Sequence, residues 1–193
     1  MSAAYFSIER LTRLEAPSVH SALNWLASSR ARELTDGLPS PVARRALFSC
    51  MVERALPIPL DLLGVRSVLL IDDEPAVLRA TSRVLRQAAP DLKLLLAEGA
   101  QHGLLQLAAL KPDAVVVDAY MPELSGVEVC SRIRSARLTA QLAVVAMTAD
   151  PTPELASSFA RAGALAFLEK PVDAPALFEV LSAHLVPNSA GDQ

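Results

Sequence analysis

A chain of 193 residues with 52% hydrophobic content has material for one full core and a smaller appendage, and a net charge of −3 gives no general electrostatic reason to bind nucleic acid or an anionic membrane. No apolar run approaches the roughly 18 residues that span a bilayer, and Met1 to Arg13 lacks the continuous apolar core of a secretory signal, so a cytoplasmic protein is expected. Cys50 and Cys130 stand far apart without metal-ligand spacing, which predicts free buried thiols in a reducing compartment rather than a disulfide.

The first 63 residues contain no strand-like run. They carry seven Arg, no Lys and six acidic residues, a balance of +1. Val19, Ala22, Leu23 and Leu26 repeat at helical spacing, and Gly37 is placed to end that helix. Ser40 and Pro41 read as an N-cap followed by proline in the first helical position, opening a helix to about Ala55 that Pro57 and Pro59 stop. The apolar segment from Leu56 to Gly64 lacks a Ser/Gly run and reads as a short connector rather than a flexible tether.

From about Val65 the pattern becomes strand then helix, five times over. Strands are expected near 67–72, 92–97, 113–118, 142–147 and 164–168, and helices near 75–88, 100–110, 125–136, 153–162 and 174–185. Runs such as Val68-Leu69-Leu70-Ile71 and Ala114-Val115-Val116-Val117 are continuous rather than alternating, as in strands of a parallel sheet covered on both faces. The fold class is therefore α/β: a doubly wound, five-stranded parallel sheet of flavodoxin type, with a small helical N-terminal extension. The organisation that follows is a helical region over 1–63, a sheet domain over 65–187 and a polar tail over 188–193.

In such a fold the loops at the carboxyl ends of the strands form the site, and the switch point lies beside the first and third strands. Asp72 and Asp73 follow the first apolar run, Asp118 the third, Thr148 the fourth and Lys170 the fifth. Singly, each has an ordinary reading: Asp72 or Asp73 as a helix N-cap ahead of Glu74-Pro75, Asp118 and Thr148 as turn residues, Lys170 as a solvated loop end. Together, in order and each at a strand end, they describe a cluster. Three carboxylates repel one another unless a cation or a shared proton intervenes, and an all-oxygen set with few protein ligands suits Mg²⁺. An Asp beside such a metal can act as a nucleophile toward phosphorus, with Lys170 neutralising the equatorial oxygens and Thr148 donating to one of them.

Residues 65–187 resemble the receiver domain of two-component response regulators, the CheY-like fold, through Asp72-Asp73, Asp118, the Met121-Pro122 and Gly126 that follow it, Thr148 in Met-Thr-Ala, and Lys170-Pro171. The resemblance implies that Asp118 accepts phosphate from a sensor histidine kinase or a phosphotransfer protein. It also implies Mg²⁺ held directly by Asp73, Asp118 and the Tyr120 carbonyl, with Asp72 acting mainly through water. Thr148 and Phe167 are then the switch pair, and helix 153–162, strand 164–168 and helix 174–185 the output face toward an unidentified protein partner. Tyr120 and Asp150, two residues beyond Asp118 and Thr148, fall at family positions that modulate hydrolysis of the phosphoryl group, and a bulky Tyr120 is expected to prolong the signal.

On this resemblance the chain is no enzyme beyond its own phosphotransfer and dephosphorylation. An effector is expected in residues 1–63 or in a separate protein. Packing on the receiver, or homodimerisation through Leu23, Trp25, Leu26, Leu47 and Met51, would complete a segment too short to fold well alone. A DNA-binding regulator using the N-terminal helices is the alternative, but Arg30, Arg32, Arg44 and Arg45 read more simply as a solvated helix face. A metal-dependent phosphohydrolase is disfavoured because Tyr120 stands where an acid/base Asp would be needed. His20 lacks the neighbours of a phosphotransfer histidine, and His102 and His184 read as helix-surface residues.

Overall fold

The computed structural model describes residues 41–136 and 142–185. The expected helix built on Val19, Ala22, Leu23 and Leu26, together with Trp25, His20, Arg30, Arg32 and the tail 188–193, lies outside the described residues. In chain order the elements are α1 (Pro41–Glu53), α2 (Leu60–Leu63), β1 (Ser67–Asp72), α3 (Pro75–Ala88), β2 (Lys93–Glu98), α4 (Ala100–Leu110), β3 (Ala114–Asp118), α5 (Gly126–Ser135), β4 (Ala143–Thr148), α6 (Pro153–Ala162), β5 (Ala166–Glu169) and α7 (Ala174–Leu185).

The five strands form one parallel sheet in the order β2-β1-β3-β4-β5. Alternate residues of each buried strand serve opposite faces. Val68, Leu70, Ala114, Val116, Val145 and Met147 join Leu78 and Leu85 of α3 and Leu177, Phe178 and Leu181 of α7 on one side. Leu69, Ile71, Val115, Val117, Val144 and Ala146 meet Leu107 of α4, Val129 and Ile133 of α5 and Phe159 of α6 on the other. Two covered faces explain why the strands read as unbroken apolar runs.

At the amino edge of the sheet, Asp113 fixes β1 against β3. Its Oδ2 accepts from the Arg66 and Ser67 amides at 2.9 and 2.8 Å and from the Ser67 hydroxyl at 2.8 Å. The resulting register pairs Ile71 with Val117, so that Asp72 and Asp118, each one residue further on, leave the sheet side by side. This is the switch point between strands whose connections run to opposite sides.

β1 has the expected limits and β3 the expected end, while β2, β4 and β5 fall one or two residues later than the apolar runs suggest. β5 starts at Ala166 because Gly163, at φ +94°, ends α6 and the Ala164 amide still donates to the Phe159 carbonyl at 3.0 Å. Ser125 and Ala136 are the caps of α5 rather than its first and last turns.

The first described helix, α1, packs into the same core as the sheet. Leu47, Phe48 and Met51 are buried, and Phe48 meets Phe178 of α7 edge to face with ring centroids 6.1 Å apart. The connector is anchored as well: the Ile58 amide donates to the Ala88 carbonyl at 2.7 Å, Ile58, Leu62 and Leu63 are buried, and Gly64 closes α2 at φ 70°. Phe48→Ala should therefore lower stability by about 3–5 kcal/mol in urea unfolding, the loss typical of a buried aromatic. A loss under about 1 kcal/mol would mean that α1 stands outside the core.

Candidate functional site

Each site residue sits where a buried strand runs out. β1 ends in Asp72, fully buried, whose Oδ1 accepts from the Glu74 amide at 2.8 Å. That local turn is the remnant of the helix-cap reading. The N-cap of α3 is Glu74, with Pro75 in the first turn and no side-chain cap, so neither aspartate caps the helix. Asp73 follows and is partly exposed to solvent.

β3 delivers Asp118, 4% exposed. The loop after it turns back tightly: Ala119 N donates to the Met147 carbonyl at 2.8 Å, and Gly126 N donates to the Ala119 carbonyl at 3.1 Å. A side chain at 126 would place its Cβ 2.1 Å from the Asp118 carbonyl oxygen, so only glycine allows α5 to start this close to the end of β3. A capping box then opens α5, with the Ser125 amide donating to Glu128 Oε2 at 2.9 Å and the Glu128 amide donating to Ser125 Oγ at 3.3 Å.

Thr148 ends β4 and is buried, its hydroxyl oxygen accepting from the Asp150 amide at 3.2 Å. From β5, the Lys170 amide donates to the Thr148 carbonyl at 2.7 Å, which aims the lysine back across the strand ends. The Lys170 Nζ reaches Asp72 Oδ2 at 2.6 Å and Asp118 Oδ1 at 2.9 Å. Asp72 Oδ2 is buried, and the group that meets it is the Lys170 ammonium.

The electrostatics follow from burial and charge. Desolvation raises the Asp118 carboxyl above its usual 3.8; the hydrogen bond and charge of Lys170 oppose that, and the neighbouring Asp72 adds to it. Burial works to lower Lys170, but hydrogen bonds and charge from Asp72 and Asp118 outweigh it and hold the ammonium above 10.5. Asp72, Asp73 and Asp118 offer oxygens within 4.8 Å of one another. With one ammonium among three carboxylates, two formal negative charges remain at neutral pH, an all-oxygen set that fits a hard divalent cation.

Two further features border the cluster. Tyr120 is 58% exposed, and Phe167 is half-buried against the fully buried Phe159, ring centroids 5.6 Å apart. The loop face beside Asp73 opens into a cavity of about 500 Å³ lined by Glu98, His102, Leu105 and Glu123 among others. Glu123, at φ +67°, accepts from the Gln101 amide group at 2.7 Å. Glu98 and Glu123 are not among the expected site residues; Glu98 closes the apolar run of β2 in register with Asp72, as Asp118 closes β3, a signal the sequence carries. His102 and His184 lie exposed on their helices, as expected.

Comparison with known proteins places this arrangement. A family profile described as the response regulator receiver domain matches residues 68–182. The sensory/regulatory protein RpfC of Xanthomonas campestris pv. campestris is 36% identical over 122 residues, 61% of this chain and 16% of that protein. A probable cyclic di-GMP phosphodiesterase of Vibrio cholerae is 26% identical over 179 residues, 93% of this chain and 39% of that protein, a span that takes in part of residues 1–63. The chain thus spans well under half of either relative. Among solved structures, a response regulator receiver domain protein from Clostridium thermocellum superposes with a TM-score of 0.56 at 27% identity, covering 63% of this chain and 94% of that one.

The raised Asp118 carboxyl has a consequence for stability. Because its folded value lies above 3.8, the folded state holds this proton to higher pH than the unfolded chain, so the stabilisation from the protonated form is lost as pH rises through the folded value. Urea unfolding in a chelator across that range should show wild type losing stability relative to Asp118→Asn as pH increases. A difference between the two that is constant with pH, or of opposite slope, would contradict this.

Proposed function

The chain belongs to the response regulator receiver family through residues 68–182, and from that membership we propose that Asp118 is its phosphoacceptor. The observation that carries the reading is the position of Lys170, whose ammonium joins the buried Asp118 to Asp72 across the ends of β5, β1 and β3. Receiver domains work with histidine kinases or phosphotransfer proteins. We take such a protein as the phosphodonor here, in the cytoplasm; no described helix is long and apolar enough to cross a membrane.

In the reaction a carboxylate oxygen of Asp118 attacks the donor's phosphorus, the donor's P–N bond breaks, and the histidine leaves with the electron pair and takes up a proton. Lys170 is positioned to follow the developing charge from the Asp118 carboxylate onto the phosphoryl oxygens. The Thr148 hydroxyl, now accepting from Asp150 N, can turn to donate to one of them. A Mg²⁺ held by Asp73, Asp118 and the Tyr120 carbonyl, with Asp72 reaching it through water, would supply the remaining charge neutralisation.

Phosphorylation adds roughly −1.5 to −2 charges at this buried edge. The re-aimed Thr148 and Lys170 would shift the loops before α6 and α7, and Phe167, packed on Phe159 of α6, is the side chain placed to report that shift on the output face. Signal lifetime is assigned in part to Tyr120, 58% exposed and two residues from the acceptor, whose bulk would limit the approach of water. Arg45, one of the arginines behind the nucleic-acid alternative, is engaged with Asp173 and Glu179. No separate catalytic activity is assigned to the chain.

An intact-mass time course with a small acyl-phosphate donor tests the whole reading. Wild type should gain one phosphate only with Mg²⁺, Asp118→Asn none, and Tyr120→Ala should gain it and lose it several-fold faster than wild type. Equal gain by Asp118→Asn would move the acceptor elsewhere, and an unchanged rate of loss in Tyr120→Ala would remove that residue's role.

A further inference from the structure

The loop that carries Lys170 also carries the anchor of α1. Three residues beyond Lys170, Asp173 Oδ2 accepts from the Ala176 amide at 3.2 Å, capping the first turn of α7. The same oxygen faces Arg45 Nη2 of α1 at 3.6 Å, and Arg45 Nε lies 3.9 Å from Glu179 Oε2 one turn into α7. Between Lys170 and Asp173 stand only Pro171 and the buried Val172, so there is little slack to absorb a movement of the lysine.

We propose that α1 is a strap whose hold on α7 reports the phosphorylation state of Asp118 through the 170–173 loop. The proposal rests on the reading of Asp118 as phosphoacceptor. In the unphosphorylated protein Lys170 is drawn inward by two carboxylates, at 2.6 and 2.9 Å, and Asp173 is presented to Arg45. When Lys170 turns to a phosphoryl group, Asp173 shifts with it. The Arg45 contacts are long, and the Arg45 and Asp173 side chains are each 56% exposed, so a small displacement is enough to break them. The apolar seat of α1, with Phe48 on Phe178, stays in place. The outcome is a loosened helix rather than a detached one, and a receiver state communicated toward residues 1–40.

The test is hydrogen exchange followed by mass spectrometry on the full chain, with acyl phosphate and Mg²⁺, phosphate occupancy being read from the intact mass of the same sample. Phosphorylation should speed exchange across 41–53 by about two- to five-fold, the range an exposed ion pair can carry, while α5 serves as an unaffected reference. Arg45→Gln and Asp173→Asn, the latter keeping an acceptor for Ala176 N, should show the faster exchange without phosphate and little further change with it. A phosphorylated wild type with unaltered exchange over 41–53 would overturn the strap and leave the phosphoacceptor reading intact. Equal acceleration in wild type and both variants would overturn the Arg45–Asp173 link. If wild type takes up no phosphate, the reading of Asp118 falls and the strap with it.

Discussion

The site depends on one ammonium between two buried carboxylates. Parallel pairing of β1 and β3 forces Asp72 and Asp118 out of the sheet together, where neither can reach bulk water freely. Such a pair of like charges is costly to bury, and Lys170 offsets that cost by standing 2.6 and 2.9 Å from them. Its placement requires β5 beside β4, the hydrogen bond from its own amide to Thr148, and α7 following at once. The order of the strands and the order of the charged residues in the chain are thus two aspects of one constraint.

The arrangement is also poised to change. One ammonium among three carboxylates leaves the cluster negative, which invites a divalent cation and makes the position of Lys170 sensitive to whatever binds Asp118. The close approach of α5, permitted by Gly126 against the Asp118 carbonyl, leaves little room around the end of β3. A response to new charge must then be taken up by Lys170, Thr148 and the loops they belong to. Those loops lead into α6 and α7, and α7 is the helix on which α1 is seated.

The sheet and the cluster were legible in the sequence because both faces of the sheet are covered. Burial on two sides leaves unbroken apolar runs, and the first polar residue after each run marks a strand end, which is how Asp72, Asp118 and Thr148 stand out. Strand limits were less legible, since Gly163 and the hydrogen bond from Ala164 to Phe159 decide where β5 begins, and an apolar run cannot show a helix C-cap that interrupts it. Local reading also offered Asp72 as a helix cap; the structure keeps only its turn to Glu74 N and gives its other oxygen to Lys170, a partner 98 residues away in the chain. The seat of α1 was least accessible. Helical spacing shows that Leu47 and Met51 share a face, but what covers that face is a tertiary fact, settled by Phe178, and the same is true of Arg45 meeting Asp173.

The central claim is that Lys170 couples the two strand-end carboxylates, and a double-mutant cycle on Lys170→Met and Asp118→Asn, measured by urea unfolding at neutral pH in a chelator, addresses it most directly. Lys170→Met alone should cost about 3–5 kcal/mol, as expected when a buried charge pair loses one partner. Adding Asp118→Asn should recover part of that loss, with a coupling above about 1 kcal/mol. Effects that simply add, within about 0.5 kcal/mol, would mean that Lys170 and Asp118 do not act on one another, and the account of the site would fail.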